Sequence, residues 1–207
     1  MHKSTHSGGR VAGRILGCCL LAAASALALS QAAAPAKPAI GTPIPPAQTY
    51  GKLLSGMEQE FVSAAEAMPE DKYNFAPPVA LGEFKGVRTF GEQIKHVAES
   101  NYYFFGGPNY SEAADKAKSD AIEKLTSKAD IVKALKDSYV YAHAAISTIT
   151  PENAWDAAPS FLPPQFKVTR SSTAAFCIAH SMDHYGQMVE YLRMNGIIPP
   201  ASRQGGM

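Results

Sequence analysis

Residues 177–200 read CIAHSMDHYGQMVEYLRMNGIIPP, and this stretch decides the fold. Its apolar residues recur at intervals of three and four rather than two, the period of a helix. The helix closes on Asn195 and Gly196, with Pro199 beyond it as a residue that cannot continue one. Within it His180 and His184 stand four apart, so two imidazoles lie one turn from each other on one face, a spacing that can grip a single metal ion. At about 100° per residue, Thr173, Cys177, His180, His184, Gln187 and Tyr191 share one side of this helix. Phe176 and Met188 flank that side, so the pair faces an apolar neighbourhood.

Working outward, the same period predicts three further helices and no strand. The first runs from about Gln48 to Met68, with Leu54, Met57, Phe61, Ala65 and Met68 on one stripe, and stops at Pro69. A loop follows to Thr89, which with Glu92 has the form of a capping box and opens the second helix, RTFGEQIKHVAESNYYFF, ending near Phe105. Here Thr89, Gln93, His96, Ser100 and Tyr103 form a stripe beside the apolar face of Phe90, Ile94, Val97 and Phe104. The polar stretch NYSEAADKAKSDAIEKLTSK has room for a short helix but no strong apolar stripe. Ser127 and Asp130 precede the third helix, limited by Pro151, and Ser171 or Ser172 is expected to cap the fourth, which carries the histidine pair to Met194. Four such helices joined by loops of unequal length predict an all-α fold, a four-helix bundle.

The N-terminus reads differently. A basic start (His2, Lys3, Arg10, Arg14) runs into the apolar ILGCCLLAAASALAL and then into small residues, the layout of a secretory signal. Cleavage between Leu29 and Pro35 is expected, giving a signal over residues 1–33, and Cys18 lies too early in the apolar stretch to be a lipid-modified cysteine. A Pro/Ala-rich linker over 34–47 follows, then the helical domain over 48–200 and a flexible tail over 201–207. The expected location is periplasmic or secreted, with no membrane contact once the signal is gone. The 207-residue chain balances 19 basic against 18 acidic residues without a long run of either sign, which gives no surface for nucleic acid. Only Cys177 remains beyond the signal, so no internal disulfide is possible.

A histidine on an apolar face is commonly a core residue bonded to a carbonyl or hydroxyl, and this pair lacks the glutamate that makes the zincin motif specific. His96 therefore weighs heavily. If the second and fourth helices are neighbours, three imidazoles converge and leave open coordination positions on a shared metal. His143, at the edge of the third helix's stripe, reads as structural, and Cys177, one turn before His180, as a small buried thiol.

The combination of MPEDKYNFAP after the first helix, RTFGEQIKHVAES on the second and AHSMDHYGQMVEYLRMNGIIPP on the fourth resembles the DinB-like family of bacterial four-helix bundles, regarded as metalloenzymes. The likeness spans about residues 48–200. It implies that His96, His180 and His184 form a site for a divalent metal, usually zinc or nickel, and it allows a homodimer through exposed bundle faces. Relatives include thiol-dependent transferases, maleylpyruvate isomerases and presumed hydrolases. An exported location departs from the cytosolic members that use small thiols, which weighs against thiol transfer. Three neutral imidazoles leave a metal its full charge and lower the pKa of a bound water toward about 7. Asp183, Glu92 and Glu99 lie within a turn of a ligand and are candidates for a base or for anchors of the rings; Gln187 and Tyr103 are candidates for contact with a small-molecule substrate. Two classes are thus expected: a metal-dependent hydrolase or transferase, or a non-catalytic periplasmic bundle that binds metal or uses it as a brace.

Overall fold

A computed structural model describes residues 37–106, 112–158 and 165–203, with backbone alone over 112–115. Residues 1–33, where the signal is expected, lie outside the described residues, as do the first three residues, 34–36, of the expected linker. The chain divides into two units, 1–41 and 42–207. In the first, the described residues 37–41 are exposed and end in a turn. The described residues of the second carry five α-helices: α1 (Pro46–Ala67), α2 (Phe90–Phe104), α3 (Glu112–Glu123), α4 (Lys128–Ser147) and α5 (Arg170–Met194). No strand occurs among the described residues beyond an isolated bridge between Ala157 and Thr169, and no helix among them is long and apolar enough to cross a membrane.

Helix α1 starts two residues ahead of the expected Gln48 because Pro46 fits its first turn, where no amide partner is needed. Its stripe of Leu54, Met57, Phe61, Ala65 and the following Met68 is buried. Lys128 closes the far end, donating from Nζ to the carbonyls of Glu66 at 2.7 Å and Met68 at 2.8 Å, a cation on the orphan carbonyls of a helix C-terminus.

The loop after α1 positions α2. Tyr73 is buried, its hydroxyl donates to the Ala65 carbonyl at 2.7 Å and its ring meets Phe90 edge-on with centroids 5.5 Å apart. The Gly91 amide donates to the Tyr73 carbonyl at 2.8 Å. A Cβ at position 91 would stand 3.2 Å from that oxygen, so glycine lets the two backbones approach. The capping box is present, with Thr89 N–H donating to Glu92 Oε2 at 2.7 Å and Glu92 N–H to Thr89 Oγ1 at 3.3 Å, a cap of the kind that contributes about 1 kcal/mol. Ser127 caps α4 by accepting from the Asp130 amide at 3.1 Å.

The polar stretch after α2, expected to have room for a short helix without a strong apolar stripe, forms one, α3, additional to the four main helices; it packs chiefly against α2 and buries Ile122. One expectation is corrected. Helix α5 is capped by Thr169, not by Ser171 or Ser172; Ser172 is instead the third helical residue of a capping box. Pairing upstream selects that register: the Arg170 and Ser171 amides donate to the Asp156 and Ala154 carbonyls, and Ala158 N–H to Val168.

Four helices enclose the core, α1 and α2 each packing against both α4 and α5. Phe61, Phe90, Ile94, Leu135, Tyr139, Met188 and Leu192 are fully buried there, each burial of this kind worth about 1.5–3 kcal/mol. The direct packing of α2 on α5 is what the site depends on.

Candidate metal centre

His96 projects from the middle of α2 toward His180 and His184 on α5. The Nε2 atoms of His96 and His180 are 3.2 Å apart, as are those of His180 and His184, and one ring nitrogen from each residue lies within 4.8 Å of the others. Imidazoles bound to zinc at about 2.0–2.1 Å in tetrahedral geometry have nitrogens roughly 3.3 Å apart, so the spacing already matches a shared cation.

Hydrogen bonding supplies the tautomer of one ring. Gln187 Nε2 donates to Asp183 Oδ2 at 3.2 Å, and Gln93 Nε2 donates to Gln187 Oε1 at 2.7 Å. Gln93 Oε1 is thereby turned to His184 Nδ1, 2.6 Å away. An amide oxygen only accepts, so Nδ1 carries the proton and Nε2 presents a lone pair to the cluster. His180 Nε2 faces two such nitrogens, and one proton cannot satisfy both contacts. His180 Nδ1 is itself buried without a hydrogen-bond partner among the described residues.

All three rings are neutral at pH 7. Burial is the largest cause in each case and pushes each pKa from 6.5 down to about 4; Arg88 and His180 add to it for His96, and the neighbouring imidazole followed by Arg88 for the other two, against the opposing pull of Asp183. Neutral imidazole is the form that ligates. The Phe104 ring stands edge-on to His180 at 5.2 Å and Phe176 lies 6.3 Å from it, so one flank of the cluster is aromatic.

The cluster borders two clefts, and His96 and Glu99 line both. The Glu99 pKa is raised to about 7, by burial first and Glu123 second, while Lys95 and Arg88 oppose the rise. Its Oε1 is buried with no hydrogen-bond partner among the described residues.

The other candidates fall in different places. Glu92 is engaged in the α2 cap, and Asp183 is exposed and reaches the rings only through the two glutamines. Gln187 is tied to Gln93, and Tyr103 lines the smaller cleft. His143 pairs with Glu58 at 2.9 Å, joining α4 to α1 away from the cluster. Cys177 is fully buried, donates to Asn101 Oδ1 at 3.3 Å, and has its pKa pushed up to about 12 by burial. Gln93 is the functional residue that sequence reasoning missed: it stood on the His96 stripe, but its role required knowing which ring of α5 it faced.

An all-helical fold holding three convergent, neutral histidines defines a class of candidate metal-binding helical proteins. Residues 53–188 match the DinB superfamily, and the chain belongs to that family. No curated protein matches it as a relative. The three histidines can hold a metal ion.

Proposed function

We propose that the chain is an exported DinB-like metalloprotein in which His96, His180 and His184 hold one divalent cation, zinc or nickel, and that it works as a metal-dependent hydrolase or transferase on a small molecule. The observation that carries this reading is the pair of 3.2 Å contacts among three Nε2 atoms, held by neutral rings and by the Gln93 acceptor at 2.6 Å. Export is supported by the basic, apolar, small-residue order of the N-terminus. A bound divalent cation supplies Lewis acidity, polarising a substrate atom and making a nucleophile available near neutral pH.

The chain's own groups do the rest. Gln93 holds His184 in one orientation, and Phe104 and Phe176 give the flank of His180 an aromatic wall. Glu99, poised near neutrality between its two forms, gives or takes a proton at its carboxyl oxygen beside the substrate. The second reading, a cation that only braces the fold, is favoured by one observation: the cluster ties α2 to α5 in mid-helix.

One assay separates the two. Protein stripped by chelation and reloaded with zinc or nickel is tested on a panel of ester, amide and thiol-conjugate substrates. Turnover that vanishes on stripping and returns on reloading is expected; a metal-raised melting temperature with no metal-dependent turnover on any substrate favours the brace. Fractionation of cells expressing the full chain checks export.

A further inference from the structure

The two clefts beside the histidines differ in character. The smaller, of about 370 Å³, lies between α2, α3 and α5, with Phe104, Phe176 and Tyr102 among its walls. Those walls are braced: Phe104 meets Phe176 edge-on at 5.2 Å, and Tyr102 leans on Tyr141 at 5.0 Å. It has room for a ring-sized apolar group. The larger cleft, of about 890 Å³, opens on the other side of His96 and is edged by Arg88, Lys95 and Lys124 together with Glu92, Glu99 and Glu123.

Three cations and three carboxylates edge this cleft, and they are engaged differently. Glu92 is held by the Thr89 amide at 2.7 Å. Lys95 directs its Nζ at the backbone carbonyls of Glu123 and Leu125, at 2.8 and 3.4 Å. Arg88 is the cation whose field reaches His96, His180, His184 and Glu99 alike. Its side chain is exposed at the rim while its backbone is fixed, because Tyr191 donates its hydroxyl to the Arg88 carbonyl at 3.0 Å and the next residue caps α2.

We propose that this site takes a small monocarboxylate with an apolar, ring-sized body: the body lodges among Phe104, Phe176 and Tyr102, the carboxylate meets Arg88, and the atoms between them pass over His96. A single planar guanidinium matches a carboxylate through two parallel hydrogen bonds. The aromatic walls of the smaller cleft reward a ring. The inference deepens the metal reading and rests on it for the placing of the reacting atoms, not for the recognition of the two ends.

Its test is binding of three probes to the full chain, with zinc and nickel content of every sample measured by mass spectrometry: 4-phenylbutyrate, its neutral isostere 4-phenylbutanamide, and butyrate, which lacks the ring. The acid is expected to bind about tenfold more tightly than either of the others. Arg88→Gln should bring acid and amide to within about twofold, Arg88→Lys should retain the preference, and Phe176→Ala should weaken acid and amide together at an unchanged ratio. Equal binding of acid and amide, an acid preference that survives Arg88→Gln, or no binding of any probe at millimolar concentration overturns the proposal. A carboxylate held by zinc alone would betray itself by keeping its preference in Arg88→Gln and losing it on chelation. Should the chain hold neither zinc nor nickel, the metal reading fails while the same comparison on metal-free protein still decides this one.

Discussion

Two buried polar clusters lie within a few turns of each other on α2 and α5, and they solve opposite problems. In the first, Asn101 Nδ2 donates to Ser138 Oγ at 3.1 Å, Ser138 donates to the Leu135 carbonyl at 2.7 Å, and Cys177 donates to Asn101 Oδ1 at 3.3 Å. Each proton in that chain has an acceptor, and all three side chains are fully buried. In the second, the rings of His96, His180 and His184 bring three Nε2 atoms together, and His180 Nε2, whether donor or acceptor, cannot meet both neighbours in matched roles with one proton. Burial alone therefore does not distinguish a structural network from a ligand site; the balance of donors against acceptors does. The first cluster is complete as protein, and the second has the geometry to take a cation.

The sharpest way to break this contrast is His184→Ala, analysed for metal in protein purified without a histidine tag. Bound metal should fall from stoichiometric to a trace, and full retention would remove the basis for a shared site. Asn101→Ala should do the reverse. It should cost about 2–3 kcal/mol in denaturant unfolding, from lost hydrogen bonds and a cavity, while the chain keeps its metal; a loss of metal equal to that of His184→Ala would merge the two clusters into one. Gln93→Ala should weaken metal binding roughly 10–100-fold, because His184 loses the acceptor that orients it, with Gln93→Glu restoring much of the affinity; competition against a chelator reads both.

The smallest effect is on pH dependence. In metal-free protein each of the three pKa values is about 4 folded and near 6.5 for the free imidazole. As pH falls through 6.5 the unfolded chain takes up protons first, so stability is full above that value and declines toward pH 4. The urea midpoint of chelated protein should drop between pH 6.5 and 5. Replacing all three histidines by glutamine should flatten that slope, and an unchanged slope would assign it to other groups.

Much of this was legible in the residues. The α2 cap could be read from Thr89 and Glu92 because a capping box is a local device, complete within four residues. His180 and His184 could be paired because helical spacing alone puts them on one face. The cap of α5 was not legible: Thr169, Ser171 and Ser172 offer equivalent hydroxyls, and the choice among them is made by the backbone of residues 154–158. Helix α3 could be read only as room for a short helix, because its apolar pattern is weak and its packing is on α2. The same limit hid Gln93, whose partner lies 91 residues away.

The separation in sequence has a bearing on biogenesis. His96 leaves the ribosome 84 residues ahead of the first imidazole it must meet, and that partner sits on the last long helix. A nascent or truncated chain lacking α5 offers a solitary imidazole with negligible hold on any ion. A cation held by all three rings would therefore be acquired only by molecules that have been finished and folded, and its presence would report completion.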